Sequence, residues 1–380
     1  MANIFDYLDW RGDMPLSADP LNEVDNLVLS ELVYTDFREI VPEDGREISL
    51  QEACTEFFRK HTREEVLADK TFTGKAPLLM EMMVNRARFQ DMTLSWYVDE
   101  IDVEKEFQLA AVTFRFPDGS AYIAFRGTDG TVVGWKEDFN LTFLSRTPGQ
   151  MGAIAYLNRV GHALSGPLTV GGHSKGGNLA VYASAFCDPD IQDRIRTVYS
   201  NDGPGFRPEI TEDSGYERML GKMISIVPDT SIIGLLLSSR ASHRVIESTA
   251  SGIFQHDGFS WSVHRNRFVP AQLSAVSELI DQVLGSWLAQ MDDETRESAI
   301  DTVFSLFEAT GKETFGEING QKLKSAEAIL TALRSLPREK QQEVLRLFGL
   351  LGQSGGHATI SFLSAFLNER KEEKAKEEKA

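Results

Sequence analysis

The spacing of apolar residues first predicts a helical entry region and then a hairpin. From residue 1 to about 105 the pattern is mainly helical, since leucines and valines between 21 and 32 recur every three to four positions and LLMEMMVNRARF continues in the same way. From Phe107 the period becomes that of strands. LAAVTFRF, the turn Pro117-Asp118-Gly119-Ser120 and AYIAF predict a hairpin. The residues from Arg126 to about Phe143 read as a polar loop.

The middle of the chain alternates between strand and helix patterns. A helix at about 150 to 165 precedes the strand-like run PLTVGGHS, and the small-residue segment GGNLAVYASAF then reads as a helix after a tight turn. RTVYSND and KMISIVPD are short β-branched runs that each end in an acid, and RVIEST reads as the final strand. Alternation of this kind predicts an α/β fold with a mainly parallel sheet and helices on both faces.

The last third of the chain loses its strand signals near Gln272. AIDTVFSLFEAT, AEAILTALRSL and PREKQQEVLRLFGLLG are helical in pattern. We therefore predict a main domain over 1–271 that includes the helical N-terminal region, a helical extension over 272–368 and a charged tail over 369–380. The mixed charges of the tail favour solubility more than a partner.

Composition narrows the function classes. With 39 Lys and Arg against 57 Asp and Glu, the formal net charge is −18, which excludes a nucleic-acid binder that relies on overall charge. Cys54 and Cys187 are too few for a disulfide framework or a cysteine zinc site, and no HExxH pattern occurs. The N-terminus lacks the features of a signal peptide, and no apolar run reaches about 18 residues. We expect a cytoplasmic protein with no metal, cofactor or membrane span.

The strongest chemical signal is Gly-x-Ser-x-Gly at Gly172, Ser174 and Gly176. In a nucleophile elbow the serine occupies a strained turn between a strand and a helix, and its neighbours must lack bulk. The strand-like TV before the turn and NLAVYASAF after it supply that context. A glycine-rich loop with an incidental serine is the alternative. Neither GxxxxGK[ST] nor GxGxxG can be aligned here, so a phosphate-binding loop is disfavoured.

In three segments the sequence resembles the alpha/beta hydrolases, and among them the class 3 (fungal-type) lipases. The first is Ala124-Phe125-Arg126-Gly127-Thr128 with Trp135 and Asp138, the second is Gly172 to Gly177, and the third is Ile226-Val227-Pro228-Asp229. The chain is more similar to the bacterial Mbeg-like proteins, with Gln255-His256-Asp257 and Ser260-Trp261 as further landmarks. The resemblance covers about residues 26–263 and implies an alpha/beta-hydrolase fold.

Acyl transfer passes through an oxyanion that needs preorganised hydrogen-bond donors. The backbone N–H of Lys175, directly after the serine, is the first candidate. Thr128 follows the strand AYIAF and is the second candidate, as the lipase resemblance also implies; the alternative is a threonine that caps a turn. Arg126 and Asp138 are expected to hold that loop. Lipases usually carry an apolar residue at the position of Lys175, so Lys175 favours a smaller or more polar ester.

The base should be a histidine that follows the serine and the acid in chain order. His256 lies in the loop after the predicted final strand, whereas His243 precedes that strand, His264 lies beyond the loop and His357 belongs to the helical tail. We expect His173, beside the serine, to pack under the turn.

Two acids end strands that should reach the same edge of the sheet, Asp202 and Asp229. The usual order favours Asp229, and Asp202 is expected to cap its own turn. Asp257 is adjacent to His256 and too close in sequence to orient its ring.

The resulting hypothesis is a serine hydrolase that cleaves an ester-like bond through Ser174, His256 and Asp229. The apolar segment SIIGLLL, residues 231–237, is predicted to line an acyl pocket, to act as a lid, or to form a buried helix. The expected partner is a small-molecule ester or acyl substrate, and the sequence identifies no protein partner. The alternatives are a catalytically idle hydrolase fold that serves as an interaction module, and a thioesterase or peptidase that uses the same three residues.

Overall fold

The computed structural model describes residues 1–69, 71, 73–128, 132–141, 143–275, 277, 292–312, 322–338 and 340–341. Its centre is an eight-stranded sheet in which sequential strands are neighbours, from β1 to β8. The strands are β1 Ile48–Ser49, β2 Thr93–Asp102, β3 Phe107–Arg115, β4 Ala121–Phe125, β5 Leu168–His173, β6 Ile195–Asn201, β7 Met223–Pro228 and β8 His243–Ile246. Strands β1 to β4 pair antiparallel, and β4 to β8 pair parallel. A separate ribbon pairs β9 Val263–His264 with β10 Arg267–Phe268.

The helices precede, connect and follow these strands. They are α1 Ile4–Arg11, α2 Glu23–Leu32, α3 Leu50–Lys60, α4 Arg63–Ala68, α5 Ala76–Met83, α6 Val132–Asn140, α7 Pro148–Ala163, α8 Lys175–Phe186, α9 Pro189–Arg194, α10 Pro208–Thr211, α11 Ser214–Leu220, α12 Asp293–Glu308 and α13 Lys322–Ser335. Several begin with the capping residues expected of helix starts, for example Asn22 at α2 and Thr147 at α7.

Alternate side chains of the strands enter two apolar cores, one on each face of the sheet. Val112, Phe114 and Tyr122 pack with the helices of the N-terminal region. Ala111 and Ile123 face the other way and pack with α7 and α8. Because side chains alternate across a strand, one run of apolar residues supplies both cores. The α/β class with a mainly parallel sheet and helices on both faces is therefore confirmed.

Two local predictions are wrong. The helical entry region also contains the ten-residue strand β2. A bulge between Ser95 and Val98, where Trp96 adopts a positive φ of 58°, interrupts the alternation of inward and outward side chains. The apolar pattern of this segment therefore does not indicate a strand. The predicted polar loop from Arg126 to Phe143 contains helix α6. Its Phe139 contacts Phe304 of α12 with ring centroids 5.7 Å apart, so tertiary packing overrides the polar composition of the segment.

Contacts divide the chain into two compact units, one of residues 1–129 and 144–286, the other of residues 130–143 and 287–380. In the second, Lys136 pairs with Asp301 at 2.8 Å, and Leu306 packs with Ile329 and Leu333 of α13. The boundary at residue 271 stays a prediction. Most of the predicted helix from Pro337 and the charged tail over 369–380 lie outside the described residues. Within the described ranges, no helix is long and apolar enough to cross a membrane.

Candidate active site

Ser174 occupies the sharp turn between β5 and α8. Its backbone has a positive φ of 58°, which is costly for a residue other than glycine. The two flanking glycines allow the turn, because a Cβ at Gly172 would lie 2.3 Å from the carbonyl carbon of Gly176, and one at Gly176 would lie 2.1 Å from the carbonyl oxygen of Phe125. The turn therefore has the strand, turn and helix that a nucleophile elbow requires.

A chain of hydrogen bonds runs from this serine through His256 to Asp202. Ser174 Oγ lies 2.9 Å from His256 Nε2, and His256 Nδ1 lies 2.6 Å from Asp202 Oδ2. The three residues come from the ends of β5 and β6 and from the 3-10 helix Gly252–His256. Ser174 is half-buried, whereas the Asp202 side chain is buried. The arrangement can withdraw the proton from a serine hydroxyl while a carboxylate holds the imidazole tautomer.

The expected pairing of His256 with Asp229 is wrong, since Asp202 takes that place. Both acids follow parallel strands, but Asp202 has a positive φ of 50°, and its Oδ1 accepts hydrogen bonds from Ser231 Oγ and Gly234 N. The Asp229 carboxylate instead accepts a 2.9 Å hydrogen bond from the Thr230 hydroxyl. The prediction that Asp202 caps its own turn is also wrong, because its partners come from a later segment of the chain.

The loop that carries His256 is held in place through Gln255, the residue before it. Gln255 accepts a hydrogen bond from Thr230 N at 2.8 Å through its side chain, and its backbone carbonyl accepts one from Trp261 Nε1, also at 2.8 Å. Trp261 is fully buried. Asp257 does not reach the His256 ring in a hydrogen bond; its Oδ1 accepts from Phe259 N, and burial raises its pKa.

The two predicted oxyanion residues belong to two segments that meet at Ser174. Lys175 is the first residue of α8, so its backbone N–H belongs to the N-terminal turn, where donors point out of the helix. Thr128 follows Gly127, and a Cβ at Gly127 would lie only 3.0 Å from Ser174 Cβ. The loop after β4 thus passes directly beside the serine. Arg126 holds it through an ion pair with Asp99 at 2.8 Å.

The side chain of Lys175 points into the protein. It is 2% exposed, and its ammonium donates a 3.0 Å hydrogen bond to Gln108 Oε1 of β3. The ammonium group of Lys175, which stands where the lipase resemblance leads us to expect an apolar residue, therefore contacts β3 in the interior. It is not part of the solvent-exposed surface.

Within the described ranges, the other histidines that the sequence offers as a base have structural contacts or lie at the surface. His243 begins β8, and its Nδ1 lies 2.8 Å from Ser225 Oγ of β7; His264 is exposed on β9. His357 lies outside the described residues. His173 is buried under the turn as expected, but it also contacts the base, since its ring centroid lies 4.6 Å from that of His256.

Two residues of the N-terminal region reach this site without any sequence signal for it. Tyr34 follows α2, and its hydroxyl lies 3.3 Å from His173 Nδ1. Glu31 of α2 is buried, with Oε1 3.5 Å from the same nitrogen. Burial raises the pKa of Glu31 well above its usual range, and the Asp257 carboxylate adds to the effect. Neither residue stands in a pattern from which this contact could be predicted.

The apolar segment 231–237 is not a helix. It consists of turns around the Asp202 carboxylate, and the backbone carbonyl of Leu236 accepts a 2.7 Å hydrogen bond from Gly205 N. The side chains of Ile232, Ile233 and Leu235 are half-buried. The alternative of a buried helix is therefore wrong, and the segment borders the acid of the site.

Among the described residues, one group has the spacing of metal ligands. His162, Asp188 and Asp190 bring their ligand atoms within 4.8 Å of one another. His162 Nε2 lies 2.8 Å from Asp188 Oδ2 in a largely exposed pair, which is an ordinary surface interaction.

The family of the chain follows from its sequence. The model of the Mbeg1-like family matches residues 83–305, more than half of the 380 residues, and the match includes Ser174, Asp202 and His256. The chain belongs to the Mbeg1-like family. Among solved structures, this Mbeg1-like chain is similar to the crystal structure of M37 lipase, with 17% identical residues, a TM-score of 0.33, and coverage of 47% of this chain and 70% of that chain. No curated protein matches the sequence.

Proposed function

We propose that this Mbeg1-like protein is a serine hydrolase that cleaves an ester-like bond. The observation that carries the proposal is the continuous contact from Ser174 Oγ through His256 to the buried Asp202 carboxylate, with distances of 2.9 and 2.6 Å. A serine hydroxyl is a weak nucleophile unless a base can take its proton. The arrangement supplies that base and an acid to orient it.

The proposed reaction has two halves. Ser174 Oγ attacks the carbonyl carbon and passes its proton to His256 Nε2, and the carbonyl oxygen becomes an oxyanion near Thr128 and the N–H of Lys175. His256 then returns the proton to the leaving alcohol as the ester bond breaks. In the second half a water gives a proton to His256 as its oxygen attacks the acyl carbon, and His256 returns that proton to Ser174 Oγ as the bond to the serine breaks and the carboxylic acid leaves. The Asp202 carboxylate accepts the hydrogen bond from His256 Nδ1–H in both halves.

The proposed substrate class is an acyl ester. The segment 231–237 contacts Asp202 through Ser231 and Gly234, and it also carries half-buried apolar side chains, which supports an acyl group in preference to a charged one. The buried position of Lys175 removes the main sequence argument for a polar ester. We propose that this segment contacts the acyl chain.

The test is labelling with a fluorophosphonate, followed by mass spectrometry of the modified peptide. We expect one adduct at Ser174, and we expect Ser174→Ala to lose both the adduct and the hydrolysis of p-nitrophenyl butyrate. Ser184→Ala is the matched control, because Ser184 lies on the same helix α8 and its hydroxyl bonds the Ala180 carbonyl in the interior. A folded wild-type protein with neither adduct nor hydrolysis would favour an idle hydrolase fold that binds a partner. Faster turnover of a matched thioester or peptide than of the ester would assign the same site to that class.

A further inference from the structure

A continuous set of hydrogen bonds connects the loop after β4, here called the oxyanion loop, to the loop that carries His256. The backbone N–H of Gly127 donates to Tyr34 Oη at 3.2 Å. The Tyr34 hydroxyl in turn donates to His173, with Nδ1 at 3.3 Å and the backbone carbonyl at 3.4 Å. The opposite ring nitrogen of His173, Nε2, lies 2.8 Å from the carbonyl oxygen of His256.

The direction of these hydrogen bonds follows from the acceptor at the end. A carbonyl oxygen only accepts, so His173 Nε2 must carry the proton that it donates to His256. Nδ1 of the neutral ring is then an acceptor, as the contact with the Tyr34 hydroxyl requires. Burial, with the neighbouring His256 as a second cause, lowers the pKa of His173 to about 3, so the ring stays neutral at physiological pH.

A neutral ring at this position suits the proposed reaction. The His173 and His256 rings lie 4.6 Å apart at 35°, and His256 becomes a cation when it accepts the serine proton. A second cation at that distance would oppose the transfer. The neutral His173 ring adds no second cation, and it holds the backbone of the loop through its hydrogen bond to the His256 carbonyl.

We propose that Tyr34 and His173 are positioning residues that hold Gly127 of the oxyanion loop and the base His256 in one fixed arrangement around Ser174. The inference rests on the proposed function of Ser174 and His256. In this proposal Tyr34 and His173 act through Gly127 and His256, not on the substrate. They keep the oxyanion loop and His256 at fixed distances from Ser174, because a displacement of about 1 Å would be enough to slow the reaction.

The first experiment compares Tyr34→Phe with Tyr156→Phe. Each substitution removes one phenolic hydroxyl; that of Tyr156 bonds Thr113 Oγ1 and the Trp96 carbonyl, which belong to β3 and β2. We expect Tyr34→Phe to lower both kcat on p-nitrophenyl butyrate and the rate constant of fluorophosphonate labelling at least about 10-fold, with KM within about twofold. Tyr156→Phe should lower the melting temperature and leave kcat unchanged.

The second experiment uses two substitutions at His173. The amide N–H of Gln can still reach the His256 carbonyl, whereas Leu cannot donate. His173→Gln should therefore retain several-fold more kcat than His173→Leu, at similar KM. Equal kcat in the two variants, or a Tyr34→Phe variant that labels at the wild-type rate, would overturn this inference and leave the proposed function standing. Absence of labelling in the wild-type protein would overturn the proposed function and, with it, this inference.

Discussion

Asp202 Oδ2 lies 2.6 Å from His256 Nδ1, although 54 residues separate the two in the chain. The carboxylate is buried, and its second oxygen is held by Ser231 and Gly234. In the proposed mechanism this pairing orients His256 toward Ser174, and it is the basis of the first prediction.

Asp202→Asn should lower kcat on the order of 10⁴-fold, the size that loss of the correct histidine tautomer has in serine proteases. Asp229→Asn is the matched control. Its carboxylate bonds only the Thr230 hydroxyl among the described side chains, so we expect most activity to remain. The measurement is kcat together with the melting temperature of both variants. An inactive Asp229→Asn beside an active Asp202→Asn, both folded, would contradict the assignment.

Thr128→Val should lower kcat on the order of 10²-fold if the hydroxyl is an oxyanion donor, because such a donor acts mainly in the transition state. KM should change little. Thr113→Val, which removes a buried hydroxyl from β3 that bonds Tyr156, is the control for stability. Steady-state kinetics separate the two effects. A rise in KM alone would place the threonine in substrate binding.

Glu31→Gln should change how stability depends on pH. Burial raises the pKa of Glu31 in the folded protein, so the folded state keeps a proton that the unfolded chain releases above about 4.3. The free energy of unfolding of the wild-type protein therefore falls as pH rises from there to the folded pKa, with a slope of up to about 1.4 kcal/mol per pH unit from this one group. Gln does not titrate and removes that contribution.

Urea denaturation of both proteins between pH 5 and 8 measures the effect. The variant should gain stability relative to the wild type as pH increases. Parallel curves over the whole range would show that Glu31 ionises with no penalty, and would count against a protonated carboxyl beside His173.

Arg88→Met should destabilise the protein by about 3–5 kcal/mol, because it leaves the Asp25 carboxylate buried without its cation. Both side chains are 0% exposed; Arg88 Nε donates to Asp25 Oδ1 at 2.6 Å, and the Tyr7 hydroxyl also donates to Asp25. Arg38→Met, at an exposed pair with Asp36, should cost little. The melting temperatures of the two variants measure this difference in stability. Equal decreases in melting temperature would contradict the distinction between buried and exposed ion pairs.

Much of the site could be predicted from local sequence. Gly172, Ser174 and Gly176 stand between a strand pattern and a small-residue helix, and only residues without bulk allow that turn. The position of His256 after the last strand also placed it in a loop at the carboxyl edge of the sheet. These features depend on neighbours in the chain, so they can be read from one segment at a time.

The acid and the supporting residues depended on the tertiary structure. Asp202 and Asp229 each come directly after one of two parallel neighbouring strands, β6 and β7, and only the folded chain shows which carboxylate faces His256. The register places Asn201 beside Ile226, so Asp202 lies level with Val227 and Asp229 lies farther along. Tyr34 lies 139 residues from His173 in sequence and meets it only because α2 packs on the sheet.

Two elements of secondary structure also depended on the tertiary structure. A bulge in β2 interrupts the alternation by which the strand could have been predicted, and helix α6 is stabilised by its packing against α12. Local propensity specifies turns and periods, whereas contacts between distant segments are set by the burial of apolar surface when the whole chain folds.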